Sequence, residues 1–170
     1  AYTTFVSCRI GDAITLAWQN RVPARIGWGA GAVPEEVFNR RWYMKEGTMP
    51  VNPFGKTTDK VKMNPPRASE NLVRPAGPTD PEVSILALET VDGKPLALLA
   101  NYSLHYVGNV VGVSADYFAV FAERITELLD ADDSEVPFVA MMSNGTSGDI
   151  NNINFREPST KQAPFEQVNI

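Results

Sequence analysis

The chain has 170 residues, of which 44% are hydrophobic and 21% charged, and its formal net charge is −5. These values predict one globular domain, and they argue against a nucleic-acid interface because no cluster of Lys or Arg offsets the acidic charge. The apolar runs are too short for a transmembrane segment, and a single Cys excludes a disulfide framework and a thiolate metal site.

The first two predicted elements are a helix over residues 4–19 and a strand over residues 24–30. The helix is indicated by apolar side chains at mainly helical spacing, namely Phe5, Cys8, Ile14 and Trp18. The strand alternates glycine and other small residues with apolar ones. Such a strand is typical of places where another backbone or a ligand comes close.

Residues 33–81 are predicted to be the least regular part of the chain because they hold most of its 13 prolines. One segment inside it, residues 38–44, has the adjacent pair Arg40 and Arg41 among aromatic residues. Two planar guanidinium groups could clamp an anion or a carboxylate. The alternative is that both arginines are solvated and stack on Trp42 and Tyr43, and the residues alone favour this alternative.

A hairpin is predicted downstream, with strands over residues 83–89 and 95–103. The Asp92-Gly93 pair between two apolar runs is the turn signal. The second strand is apolar enough to be central in a sheet, and His105 lies just beyond its carboxyl end.

A helix over residues 115–129 and a strand over 137–142 complete the prediction. Ser114 is the expected N-cap, and Asp116 lies in the first turn, where the helix dipole favours a carboxylate. The helix connects the second hairpin strand to the last strand as a crossover. The fold class is therefore α/β: a layered α/β/α domain with a largely buried mixed sheet and a long Pro-rich irregular segment.

Residues 143–152 follow the last predicted strand and form the main candidate for a site. They are small and polar, with two glycines that allow a close approach of backbone to a ligand. In α/β proteins, binding sites form at the carboxyl ends of buried strands. An ordinary connecting loop, whose Asn and Asp side chains cap their own backbone, remains an equal alternative.

His105 is the only histidine of the chain. A zinc site needs three or four ligands, so one His and one distant Cys do not build it unaided. A Ser-His-Asp triad is formally available from the following residues: Ser143 or Ser147, His105, and Asp116 or Asp149. No nucleophile-elbow pattern supports that triad.

Several of these segments follow one another in an order known from one enzyme family. After the strand that ends in His105 come Val113-Ser114-Ala115-Asp116-Tyr117, a buried strand, and Asn144-x-x-x-Gly148-Asp149-Ile150. Matching segments upstream are Pro23-Ala24-Arg25-Ile26-Gly27-Trp28-Gly29 and Phe38-Asn39-Arg40-Arg41. In this order the chain resembles the N-terminal catalytic domain of the neutral/alkaline, non-lysosomal ceramidases, in their bacterial branch.

The resemblance implies a zinc-dependent amidase that acts on a small-molecule or lipid amide such as ceramide. His105 falls on a zinc ligand of the family, Arg40 or Arg41 on an arginine near the active site, and Gly148-Asp149 on its Gly-Asp motif. Asn151 stands where the ceramidases have a catalytic serine, and Asn cannot act as a nucleophile. If the resemblance holds, His105, Arg40 and Asp149 should converge on one cleft. A secreted or periplasmic location is also implied.

The resemblance further implies that residues 1–170 are a single domain that is a segment of a larger ceramidase-like domain. The family's other zinc ligands come from a His-rich motif upstream and from Glu and Tyr downstream. The isolated chain is therefore expected to be inactive and to bind zinc weakly. The rival hypothesis is a non-catalytic binding or structural domain that retains the family fold, in agreement with Asn151 and the single histidine.

Overall fold

The structure is a computed structural model of the chain, and it describes residues 1–107, 112–131 and 136–161. The helices of the described residues are α1 (Tyr2–Gln19) and α2 (Asp116–Leu128). Their strands, in chain order, are β1 (Ala24–Ala32), β2 (Phe38–Asn39), β3 (Arg41–Met44), β4 (Val61–Met63), β5 (Leu72–Pro75), β6 (Glu82–Thr90), β7 (Pro95–Tyr102), β8 (Val139–Asn144) and β9 (Ile150–Asn151). Both predicted helices and all four predicted strands are confirmed, with ends shifted by at most two residues.

The main sheet has the strand order β1-β6-β7-β8. β1, β6 and β7 are antiparallel, whereas β7 and β8 are parallel and are connected through α2. The hairpin between β6 and β7 turns at Asp92-Gly93, where Gly93 has a φ of 89° and donates a backbone hydrogen bond to Thr90. The predicted α/β class, the mixed sheet and the crossover are thus confirmed.

Four short strands, β2 to β5, come from the region that was predicted to be irregular, and they contribute to two smaller sheets. β3 lies between β4 and β5 in a three-stranded sheet, and β2 pairs with β9. Pro75 is tolerated because β5 is an edge strand, where a missing N–H leaves no ladder bond unmade. The predicted ordered segment 38–44 supplies β2 and β3, while β4 and β5 were missed.

The described core is small and lies where β7, β9 and the segment before β2 meet. Its buried cluster consists of Val37, Tyr102, Leu104 and Ile150. The prediction of a largely buried sheet needs correction at β1, all nine residues of which are exposed. β1 is an edge strand, and one face of the sheet is open: Trp28, Leu86, Leu99 and Met141 lie opposite one another across four strands and are all exposed.

None of the residues of α1 is buried, and its Cys8 is exposed. The N-cap expected for α2 differs from the structure. Helix α2 has Ala115 as its N-cap without a side-chain bond, whereas Ser114 accepts the Asp116 amide one residue earlier, at 3.1 Å. Across residues 1–107, 112–131 and 136–161, no helix has the length and apolar character needed to cross a membrane.

Candidate functional site

The candidate site lies where the parallel strands β7 and β8 end side by side. Tyr102 and Asn144, the last residues of the two strands, are cross-strand partners. Residues 103–105 and 145–149 therefore leave the sheet at the same edge. This is the position at which α/β proteins place binding sites.

Hydrogen bonds join these two exit segments. The buried Ser103 hydroxyl accepts the backbone N–H of Thr146 at 3.1 Å, and its oxygen also lies 3.1 Å from Thr146 Oγ1. Ser103 Oγ lies 3.3 Å from Asp80 Oδ2, to which it donates. The Gly145 amide donates to the Tyr102 carbonyl at 2.9 Å. The start of the 145–149 loop is thus held against the end of β7.

His105 follows directly in this arrangement. The carbonyl of Leu104 accepts the side-chain amide of Asn144 at 3.0 Å and the hydroxyl of Tyr117 at 2.8 Å. His105 is half-buried, and its Nδ1 lies 3.1 Å from the Tyr106 carbonyl oxygen. Because Asn144 and Tyr117 both hold the Leu104 carbonyl, the next residue, His105, leaves the sheet beside the end of β8.

The two arginines meet the Gly148-Asp149 motif across 108 residues of sequence. The guanidinium of Arg40 donates to the Gly148 carbonyl from Nε at 3.1 Å and from Nη2 at 2.8 Å. The Arg40 amide donates to the Asp149 carbonyl at 2.7 Å, and Arg41 forms an ion pair with the Asp149 carboxylate. We name this group of four residues, Arg40, Arg41, Gly148 and Asp149, the arginine clasp.

The structure corrects the stacking part of the alternative for the arginine pair. Arg156 lies over the Trp42 ring at 5.0 Å, and Arg74 lies over the Tyr43 ring at 4.0 Å. Arg40 and Arg41 instead bind a carbonyl and a carboxylate of the chain itself. Sequence spacing could not identify which arginines would stack.

Asn151 lies directly beside the clasp, on β9. It is half-buried, and its backbone is paired with Phe38 of β2 in the antiparallel ladder. The pairing of β2 with β9 places residues 148–149 opposite Arg40. It therefore fixes the position of the clasp.

Ser143 and Asp116, two residues of the alternative triad, form hydrogen bonds with groups other than His105. Ser143 donates to the Ala100 carbonyl at 3.2 Å and accepts from the Asn101 amide at 2.8 Å. Asp116 Oδ1 accepts the backbone amides of Val107 and Tyr117, both at 2.9 Å. The Ser143 hydroxyl thus bonds to β7, and the Asp116 carboxylate bonds to two backbone amides.

A metal site is not complete within the described residues. No group of three or more His, Cys, Asp and Glu side chains in this part of the chain could hold a metal ion. A zinc ion requires three or four ligands, of which His105 could supply one. The residues present therefore do not fit a zinc ion on their own.

Sequence reasoning missed Ser103. It assigned no contact to three residues that lay within its candidate segments, namely Tyr117, Asn144 and Thr146. Ser103 directly follows β7 and Asn144 ends β8, and the parallel pairing of these two strands brings the residues together. The predicted crossover through the helix implied this parallel pairing, and it was the feature of the sequence from which the contact could have been predicted.

Two tyrosines beside the site, Tyr102 and Tyr117, are expected to ionise at a higher pH than an exposed tyrosine. Burial, followed by the charges of Glu36 and Glu35, raises the pKa of Tyr102 from 10.0 to about 12. Burial and the charge of Asp116 also raise the pKa of Tyr117. The folded state holds these phenol protons where the unfolded state loses them, so the stability they contribute is present below about pH 10 and is lost as pH rises toward 12.

An alkaline titration of tyrosinate absorbance tests this expectation. The late component should shrink in Tyr102→Phe and disappear on unfolding in denaturant. Ionisation of all five tyrosines of the folded chain with one common midpoint near pH 10 would contradict it.

Comparison with known proteins gives distant similarities only. No protein-family model and no curated protein matches the chain. One similar solved structure is described as a ceramidase complexed with C2, at a TM-score of 0.48 and 17% identity, covering 79% of this chain and 18% of that one. Another is the neutral ceramidase from Pseudomonas aeruginosa, at a TM-score of 0.47 and 17% identity, covering 88% and 20%. The chain thus spans about a fifth of the length of two ceramidases to which it is distantly similar.

Proposed function

We propose that this chain is the part of a longer ceramidase-like hydrolase that carries its arginine clasp and one metal ligand. The observation that supports the proposal is the clasp itself. It joins two motifs that the family resemblance singles out and that lie 108 residues apart in sequence. The substrate class is a lipid or small-molecule N-acyl amide.

The clasp has a positioning role in this proposal. Two hydrogen bonds from Arg40 fix the Gly148 carbonyl, which orients the loop between Asn144 and Asp149. Arg41 balances the charge of Asp149, whose side chain is 54% exposed and therefore open to a ligand. The loop would thus present a carboxylate and backbone amides at the edge where His105 emerges.

A zinc ion is part of the proposal for the longer protein. His105 would be one ligand, and the others would come from segments outside the 170 residues. When bound, such a metal polarises an amide carbonyl or lowers the pKa of a water. Asn151 would offer a hydrogen-bond donor where the ceramidases have a serine.

The longer gene product provides the test. We expect it to hydrolyse a fluorescent N-acyl amide of a long-chain amine, to contain about one zinc ion per chain, and to lose both properties with a chelator. His105→Ala should weaken zinc binding by about tenfold or more. The isolated 170 residues should bind zinc weakly in a calorimetric titration, and tight one-to-one binding abolished by His105→Ala would contradict the proposal that other segments supply ligands.

A matched pair of variants tests the clasp in the same assay. Arg40→Lys keeps the charge but cannot form the forked contact with the Gly148 carbonyl, so we expect a several-fold loss of hydrolysis. Arg156 lies over Trp42 and outside the clasp, so the control variant Arg156→Lys should retain activity. Equal activity of both variants would contradict the positioning role.

The second candidate is a non-catalytic domain that keeps the family fold. The ion pair between Arg41 and Asp149 favours it, because the two groups already satisfy each other. A longer protein without bound zinc and without amidase activity, but with an intact fold, would support this candidate.

A further inference from the structure

A cavity of about 650 Å³ lies between helix α2 and the face of the main sheet that α2 covers. Its wall is mainly apolar and includes Val120, Phe121 and Ile125 of α2 opposite Met142 of β8. The three helix residues are only half-buried, so the helix does not close onto the sheet. Sites for small molecules typically have volumes of about 300–1,000 Å³ and apolar walls. The cavity therefore has the size and lining for a flexible hydrocarbon chain.

The polar side chains of the cavity differ in whether they have partners. Arg124 is paired with Glu127 at 2.7 Å. The hydroxyl of Tyr102 donates to the Val33 carbonyl at 2.6 Å. Glu36 is half-buried, and its carboxylate has no hydrogen-bond or ion-pair partner among residues 1–107, 112–131 and 136–161. Glu36 is therefore the carboxylate of the cavity lining that is left to pair with a cation.

The negative charge of Glu36 also acts on another residue of the cavity wall, Tyr102. That charge, after burial, contributes to the raised pKa of the Tyr102 phenol. Asn152 lines the same cavity and can accept a hydrogen bond through its side-chain oxygen. An alkyl ammonium group has three N–H donors, which suit a carboxylate and an amide oxygen together.

We propose that this cavity binds a single-chain aliphatic amine, with the ammonium group at Glu36 and the hydrocarbon chain along the apolar side of α2. A fatty acid would instead bring a second carboxylate toward Glu36, which like-charge repulsion disfavours. A fatty alcohol would fill the apolar space without the ion pair. The site does not depend on amide hydrolysis, so its failure would leave the proposed function untouched.

Titration of the 170-residue chain at neutral pH with three probes of equal chain length tests the proposal. The probes are decylamine and decanoate, each below its micelle concentration, and decanol below its solubility limit. We expect decylamine to bind about tenfold more tightly than decanol, and decanoate to bind most weakly, because a charge-assisted hydrogen bond adds to one probe only. Equal affinity of decylamine and decanoate would overturn the proposal.

Adjacent glutamates supply the matched variants. Glu36→Gln should reduce the affinity for decylamine to the affinity for decanol. Glu35→Gln removes the same charge from an exposed residue outside the cavity lining, so it should change the affinity for decylamine by no more than about twofold. Val120→Trp should fill the cavity and abolish binding of every probe, with helix content checked by circular dichroism. Equal losses in Glu36→Gln and Glu35→Gln, or tight binding to folded Val120→Trp, would show that the amine binds elsewhere.

Discussion

Replacing Gly145 with alanine is expected to lower the free energy of unfolding by about 2 kcal/mol, because the added methyl group has no space. A Cβ at this position would lie 2.5 Å from Ser103 Oγ, 2.9 Å from Asn101 Oδ1 and 3.3 Å from Ser103 Cα. Ser103 cannot move aside freely, since its hydroxyl holds the Thr146 amide at 3.1 Å. The clash therefore separates the two segments that form the candidate site.

Gly148 provides the control within the same loop. A Cβ there would meet nothing within 4 Å, and the backbone is outside the left-handed region. Gly148→Ala should thus change stability by less than about 0.5 kcal/mol or raise it slightly through the unfolded state. Denaturant unfolding of both variants measures the difference.

A double-mutant cycle identifies the atom responsible. Ser103→Ala removes the nearest oxygen and is itself destabilising, because it leaves the Thr146 amide without this acceptor. In that background Gly145→Ala should cost less, with a coupling of about 1 kcal/mol. Additive effects of the two substitutions would contradict a steric cause at Ser103.

The regular elements of the main sheet could be predicted because each is long enough to show a period or a turn signal. Helix α2 has 13 residues with a clear apolar side, and the Asp92-Gly93 pair marks the hairpin. β4 and β5 have three and four residues and lie in a proline-rich region. Such short strands contain too few residues for alternation to be visible, and their pairing with β3 is decided by tertiary contacts.

The candidate site could be predicted only in part. The loop 143–152 and His105 follow from the positions of strand ends, which are visible in the sequence. The contact of Arg40 with Gly148 is not visible in the sequence, because it depends on how the 108 residues that separate them fold to bring β9 beside β2. Family resemblance named both residues, and the pairing of β2 with β9 explains why they meet.

Asp116→Ala is expected to have the largest effect on stability, a loss of about 2–4 kcal/mol. Asp116 is 8% exposed, and its Oδ1 accepts the backbone amides of Val107 and Tyr117. Removal of the carboxylate leaves two backbone donors of half-buried residues without this acceptor and takes a negative charge from the first turn of α2. It also releases the segment that follows His105 from the helix.

Two further variants separate the causes of this loss. Asp116→Asn keeps a side-chain oxygen and tolerates the φ of 55° at this position, so it should lose about 1 kcal/mol, the contribution of the charge. Asp130→Ala is the control for backbone strain, because Asp130 has a similar φ of 49° but is exposed. Its cost should be about 1 kcal/mol, from placing alanine in the left-handed region.

The decisive comparison is therefore between alanine at residue 116 and alanine at residue 130, measured by denaturant unfolding and by hydrogen exchange of the Val107 amide. If the hydrogen bonds of Asp116 dominate, Asp116→Ala loses more stability than Asp130→Ala and exposes the Val107 amide to exchange, whereas Asp130→Ala leaves that amide protected. Equal losses would instead mean that the left-handed backbone alone accounts for the effect. In that case Asp116 would not be the residue that ties His105 to helix α2.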